Sequence, residues 1–279
     1  MSERTVAIMY DFDKTLCTTD MQNYAFIPNL GMTPAEFWES TEKFAHQYGV
    51  ERILSYMYVM IRECQKKNIP ITKEYLHSLG KDVKFFSGVL SWFSRINAYG
   101  KLRGINVEHY IISSGTKEII EGTAIAKEFK KIYACEFAYD NQTKEAMWPA
   151  FAINYTQKTQ YFFRISKGAL DPKNDFDINS KTRKKRIPYS NMIYIGDGMT
   201  DVPAMILGKK NGGTSIALYP SGKKEHVLPL LKEERVNYIC RADYSSNSPL
   251  DNIIKLTIDQ ISVKNQLSKM SNKYLKTEE

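Results

Sequence analysis

Three short stretches of this chain follow one plan. "TVAIMYDFD" (5–13), "HYIISSG" (109–115) and "MIYIGDG" (192–198) are each a run of apolar and β-branched residues that stops on small or acidic ones. Near-continuous apolar runs, without strict alternation, mark strands covered on both faces. "TSIALYP" (214–220) and "NYICRAD" (237–243) are two further strands of this kind. Helical patterns at 88–99 and 116–131 lie between them. Strands alternating with helices predict an α/β fold: a Rossmann-like, mainly parallel sheet with helices on both faces.

The stretch 17–86 breaks this alternation and carries no clear strand. It reads as helices. Thr33 is an N-cap, Pro34 holds the first helical position and Glu36 completes a capping box. Phe37, Thr41, Phe44, Ala45 and Tyr48 then fall on one face. A second, more apolar helix covers 50–68 and a third 72–83; the methionines and tyrosines at 56–60 could line a pocket, with helix-packing core as the preferred reading. The expected organisation is an α/β core domain, 1–16 and 87–279, interrupted by a helical cap subdomain, 17–86. The polar stretch 168–188 reads as a loop, and the tail from about 264 as a final helix or a fraying end.

Ligands in open parallel sheets bind just beyond the carboxyl ends of the strands. If the first three strands are neighbours, Asp11 and Asp13, Ser113 and Ser114, and Asp197 and Asp201 converge there. Burying ionised carboxylates is costly unless something pairs with them, and two close together repel. The partner is expected to be a cation. Clustered oxygens without His or Cys suit a hard ion, Mg²⁺ in particular, which keeps waters and bridges to a substrate phosphate. Asp11 and Asp197 are the expected carboxylate ligands, with the backbone carbonyl of Asp13.

Composition narrows the class. The chain has 279 residues, 43% hydrophobic and 25% charged, as in ordinary globular proteins. No apolar run reaches the roughly 18 residues of a membrane span. The start "MSERTVAIMYDFD" lacks the apolar core of a secretory signal. Cys17, Cys64, Cys135 and Cys240 are scattered, with no paired spacing, so neither a zinc site nor a disulfide framework is expected. A cytoplasmic location fits these features. The net charge of +8 favours an anionic partner, part of it lying in "KTRKKR" (181–186). No nucleic-acid recognition motif accompanies that charge, so nucleic acid is not the expected partner.

"DFDKTL" (11–16) resembles the D-x-D-x-T signature of the haloacid dehalogenase-like phosphohydrolase superfamily, "YIISSG" (110–115) its second motif and "GDGMTDVPAM" (196–205) its fourth. The stretch 83–115 and the helical insert between the first two motifs are similar to the phosphoserine phosphatase branch. The resemblance covers residues 5–16, 83–131 and 156–219. It implies an aspartyl-phosphate on Asp11, with Asp13 as the acid that protonates the leaving oxygen and then activates water. It implies phosphate binding by Ser113, with Ser114 where relatives often have Gly, a metal ligand at Asp197 and an outer-shell acid at Asp201. The third motif is a lysine that neutralises phosphate and Asp11; Lys158 matches, and Lys167 is the alternative. Asp20, nine residues after Asp11, stands where that branch has an acid facing the substrate's amino group; a hinge or N-cap aspartate is the other reading. Asp13 argues against dehalogenase chemistry, and Asp at that second position with Thr after it argues against the D-K-T-G signature of the transport ATPases.

The function expected is therefore a Mg²⁺-dependent phosphomonoester hydrolase of a small phosphorylated metabolite, with no membrane partner. A phosphotransferase using the same intermediate is one alternative. A non-catalytic or nucleic-acid-binding protein using the basic loop is another.

Overall fold

The computed structural model describes residues 4–180 and 185–275. Seven strands form one sheet: β1 (Arg4–Tyr10), β2 (Ile105–Thr116), β3 (Lys131–Tyr139), β4 (Ala146–Phe151), β5 (Met192–Gly196), β6 (Thr214–Tyr219) and β7 (Tyr238–Arg241). Their order is β4-β3-β2-β1-β5-β6-β7, parallel throughout except where β4 runs antiparallel to β3. The eleven α-helices described are α1 (Phe26–Asn29), α2 (Pro34–Tyr48), α3 (Arg52–Lys66), α4 (Lys73–Ser78), α5 (Val89–Leu102), α6 (Lys117–Glu121), α7 (Gln160–Lys167), α8 (Asp175–Asn179), α9 (Val202–Lys210), α10 (Leu228–Lys232) and α11 (Pro249–Leu275). The sheet is the α/β arrangement expected from the sequence. No described helix is long and apolar enough to cross a membrane.

β1 lies at the centre because it is apolar all round: Val6 to Tyr10 have no exposed surface. β2 pairs with one of its edges and β5 with the other, Tyr10 standing opposite both Ile111 and Ile195. The chain runs outward from β1 to β4 and then returns to β5, so the strand order reverses beside β1. A crevice opens at such a reversal. A buried network fastens the centre. Trp92 of α5 donates to the Tyr10 hydroxyl (2.8 Å), Tyr10 bonds His109 Nδ1 (3.0 Å), and His109 Nε2 bonds Asn97 (3.0 Å). Burial pushes the His109 pKa down to about 3, so the imidazole is neutral.

Three features depart from the expected pattern, the simplest being the short helix α8 inside the stretch 168–188 that reads as a loop. The helix read over 116–131 is only α6 and a 3₁₀ turn at Ala126–Glu128, after which the chain enters β3. Gly122 and Thr123 N–H groups, with the Thr123 hydroxyl (2.7 Å), close the last turn of α6 on Glu118, Ile119 and Ile120 carbonyls. The β3–β4 hairpin was not among the expected strands. Its turn is set by Asp140, whose carboxylate accepts N–H bonds from Gln142 (2.8 Å) and Thr143 (2.7 Å). A local signal existed in the aromatic, β-branched run "KIYACEFAY" followed by "DNQTK".

The segment between β1 and α5 is helical, and the capping box at α2 is present. Thr33 Oγ1 accepts from the Glu36 N–H (3.3 Å), and Glu36 Oε2 accepts from the Thr33 N–H (2.8 Å). The segment leaves and re-enters through one pinch, an antiparallel bridge between Cys17 and Phe85. α3 rests against β4 and α4 against α6. The tail is helical to Leu275 within α11. All four cysteines are buried and free. Residues 181–184 of the basic run lie outside the described residues; its last member, Arg186, is held by Glu108 (2.8 Å).

Candidate active site

The β1 ladder continues one residue past the strand, Asp11 donating its N–H to the Ile195 carbonyl (2.9 Å). The chain then turns tightly, with the Phe12 carbonyl accepting from Leu16 (2.9 Å) and Cys17 (3.2 Å) and Lys14 at φ 55°. The Tyr244 hydroxyl holds this turn from behind by donating to the Thr15 carbonyl (3.0 Å). Asp11 and Asp13 thereby face the crevice from two sides of one loop. The Met21 N–H donates to Asp13 Oδ1 (2.8 Å) and fixes its rotamer.

Two glycines make room for this packing. A Cβ on Gly115 would meet the Met21 methyl at 2.1 Å and Asp13 Oδ2 at 3.0 Å. A Cβ on Gly196 would stand 2.5 Å from Asp201 Oδ2, so only glycine lets Asp201 fold back beneath the end of β5.

Asp11, Asp13, Ser113, Ser114, Lys158 and Asp197 all line one cavity of about 240 Å³, as does Asp20 at its mouth. Lys158 has no exposed surface, and its Nζ lies 3.1 Å from Asp11 Oδ1 and 2.7 Å from Asp201 Oδ1. Asp201 also accepts from the Tyr194 hydroxyl (2.7 Å), so this buried acid anchors the lysine. Lys167 lies elsewhere, donating to the carbonyls of Ile178 (2.8 Å) and Ser180 (3.3 Å). Ser113 Oγ accepts from the Gly115 N–H (3.0 Å). Ser114 Oγ is buried without a hydrogen-bond partner, while its carbonyl accepts from Tyr56 (2.7 Å). Asp20 is paired with Lys14 at 2.7 Å.

The electrostatics are those of a crowded acidic pocket with one fully buried cation, Lys158, and Lys14 in its wall. Burial, then the charge on Asp201, pushes the Asp11 pKa up to about 6. Burial, with Asp20 and Asp11, raises Asp13 well above the usual carboxylate range, and burial with Asp201 and Asp11 does the same for Asp197. Burial works against the charge of Lys158, but Asp11 and Asp201 outweigh it and hold the lysine protonated.

The residues also fit a divalent cation. Carboxylate oxygens of Asp11, Asp197 and Asp201 lie within 4.8 Å of one another. Asp11 Oδ1 is buried and accepts no hydrogen bond, Lys158 being near but poorly aligned. Since Asp201 is spent on Lys158 and Tyr194, Asp11 and Asp197 are the pair with oxygens to give. An all-oxygen set of two carboxylates suits Mg²⁺, which completes its shell with water and phosphate.

Reasoning from sequence did not single out several residues that also line this pocket, among them Lys14, Gln22, Trp38, Ile53 and Tyr155; Tyr56, one of the residues at 56–60 that could line a pocket, does line it. Tyr155 had a local signal, three residues before Lys158. Tyr56 belongs to a helix that is otherwise core, Met57 and Met60 being fully buried as expected. Which residue of such a helix meets the cavity depends on how the helix docks.

Comparison with known proteins agrees with this geometry. The haloacid dehalogenase-like hydrolase family matches residues 8–205. An uncharacterised protein of Borreliella burgdorferi is 29% identical over 280 residues, spanning 90% of this chain and 96% of that protein. Among solved structures, a substrate-bound phosphoserine phosphatase is similar with a TM-score of 0.57 and 14% identity, over 91% of this chain and 98% of its own. A phosphoserine phosphatase carrying an analogue of the phospho-aspartyl intermediate gives 0.55 and 17%, over 91% and 99%. A HAD family hydrolase of Salmonella enterica serovar Typhi gives 0.57 and 16%, over 90% and 70%. At these identities the likeness is one of fold.

Proposed function

The chain belongs to the haloacid dehalogenase-like hydrolases, and on that premise we propose that it is a Mg²⁺-dependent phosphomonoester hydrolase working through an aspartyl-phosphate on Asp11. One observation carries the reading: a fully buried lysine, Lys158, set between Asp11 and Asp201 at 3.1 and 2.7 Å, in a cavity that also holds Asp13, Ser113 and Asp197. A buried cation beside a carboxylate with a free oxygen suits binding and attack of a phosphate dianion.

Asp11 and Asp197 would hold Mg²⁺, which would supply charge neutralisation for the phosphoryl group when bound. Lys158 and the Ser113 and Ser114 hydroxyls, with loop N–H groups, orient the phosphate. An Asp11 oxygen attacks phosphorus as the bond to the substrate's alcohol oxygen breaks, and Asp13 delivers its proton to that oxygen. The raised pKa of Asp13, caused by burial, Asp20 and Asp11, keeps this proton available. Asp13, now ionised, takes a proton from water as the water attacks phosphorus, which releases phosphate and restores Asp11. The helical segment 17–86, closing on the pinch at Cys17 and Phe85, acts as a cap over the alcohol portion.

The test is hydrolysis of a generic aryl phosphate with Mg²⁺ and with EDTA. Asp11→Asn should cut turnover by about 10⁴-fold with the fold intact. Acid-quenched mass spectrometry should find phosphate on the peptide that contains Asp11. Undiminished turnover by a verified Asp11→Asn sample, or full activity in EDTA, would remove the reading.

A further inference from the structure

The cavity at Asp11 opens into a second of about 500 Å³, roughly twice its size. Lys14, Asp20, Trp38, Ile53, Tyr56 and Tyr155 belong to both walls, so the two form one path. The inner part must hold phosphate and its cation. The outer part is left for the alcohol.

The polar groups of the outer chamber are mostly matched among themselves. Lys14 pairs with Asp20 (2.7 Å) and Arg52 with Glu42 (3.7 Å). Trp38 Nε1 donates to Asn23 (3.0 Å), the Thr41 hydroxyl to the Trp38 carbonyl (2.8 Å) and the Tyr56 hydroxyl to the Ser114 carbonyl (2.7 Å). The two cations and two carboxylates of the chamber balance. An ammonium group on a substrate would find Asp20 already held by Lys14. What the chamber has to offer is ring surface. Trp38 and Tyr56 meet edge to face with centroids 6.1 Å apart, and Tyr155 stands across the opening, 37% exposed.

We infer that this chamber selects phosphomonoesters whose alcohol carries an uncharged planar ring, and disfavours small zwitterionic esters such as phosphoserine. The inference rests on the phosphatase reading above. Ring faces against Trp38, Tyr56 and Tyr155 supply binding that a short aliphatic chain forgoes. Zwitterionic esters also bring charges into a chamber whose own charges are already paired.

The experiment compares benzyl phosphate and a nucleoside 5′-monophosphate with phosphoserine and phosphoethanolamine, all esters of alkyl alcohols, so leaving-group acidity does not decide the outcome. Wild-type kcat/KM should favour the ring-bearing esters by about tenfold or more. Tyr155→Ala, at an exposed position, and Trp38→Leu should shrink that ratio towards unity, mainly through KM for the ring-bearing esters. A wild-type preference for phosphoserine would overturn the inference, as would variants that lower both classes by one factor. If no ester is turned over, the phosphatase reading fails. Calorimetry on the wild-type protein with Mg²⁺ then decides the inference: tighter binding of benzyl phosphate than of phosphoserine upholds it, and equal or weaker binding overturns it.

Discussion

The strand ends and the helical segment that covers them are built on opposite principles. At the ends of β1 and β5, charge is buried in quantity: Lys158 and Asp201 have no exposed surface, and Asp11 is 5% exposed. Each charge there depends on its neighbours for a partner, and backbone contacts as close as Gly196 against Asp201 leave no slack. In α2 and α3 the cavity is walled by rings, and the ion pair at its outer wall, Arg52 with Glu42, is 66% and 60% exposed. Change at the strand ends breaks an electrostatic set that works as one unit. A change in the helices alters one surface at a time. On the proposed reading, chemistry and selectivity fall to parts with different tolerance.

The most severe way to break this contrast is Lys158→Met. It leaves Asp11 and Asp201 facing each other in a buried place, so activity should fall by about 10²- to 10³-fold, and stability near neutral pH by about 3–5 kcal/mol. The stability loss should shrink at acidic pH, where Asp11 takes up a proton. Urea denaturation at two pH values measures this, and a pH-independent loss would mean that the lysine is only packing.

Removing metal tests the same unit more gently. Asp11 has a folded-state pKa raised to about 6, above its unfolded value, so its proton binds more tightly to the folded chain. Without a cation, its contribution is fully stabilising at low pH and is lost as pH rises through about 6. On the proposed reading, Mg²⁺ would bind beside Asp11 only once that proton has gone. Its effect on Tm should therefore be small at pH 5 and grow to a few degrees by pH 7.5. A Mg²⁺ effect that is flat over this range would separate the metal from Asp11.

Tyr56→Phe sharpens the comparison where the two regions touch. It removes the hydrogen bond from α3 to the Ser114 carbonyl (2.7 Å), which leaves that carbonyl the Cys135 thiol alone (3.3 Å). The expected loss is about 1 kcal/mol of stability in thermal or urea unfolding. A larger effect on activity than on stability would show that the helices control the strand ends. Thr33→Ala, on the solvent side of α2, should cost about 1 kcal/mol through the lost cap and leave kcat and KM as they were. A change in KM would mean that the start of α2 reports to the cavity.

Much of the fold and the acidic half of the pocket were legible in sequence. The β3–β4 hairpin was not read, although its aromatic run and Asp140 turn were visible, because "GTAIAKEFKK" ahead of it carries a helix-like apolar spacing that ends early in space. Trp38 and Tyr56 look in sequence like any aromatic residues on an amphipathic helix. Asp20 reads in sequence as an acid facing the substrate or as a hinge or N-cap aspartate, and nothing local shows that Lys14, at φ 55° on the turn, pairs with it.

Acidic and small residues just after a buried strand have one place to go, because the strand fixes its own end and the sheet gathers those ends on one side. Local sequence was therefore enough to determine the α/β sheet, the helical segment 17–86 as helix, and the meeting of Asp11, Asp13, Ser113 and Asp197. Resemblance to the family's third motif put Lys158 ahead of Lys167, and tertiary structure brought Lys158 into the pocket. Lys158 and Asp201 stand 43 positions apart, and the packing of the turn before α7 against α9, which follows Asp201, brings them to 2.7 Å. Docking likewise decided the outer chamber, whose rings come from α2, α3 and the loop after β4. Distances between such elements are set by how whole faces pack, and no local run of residues encodes them.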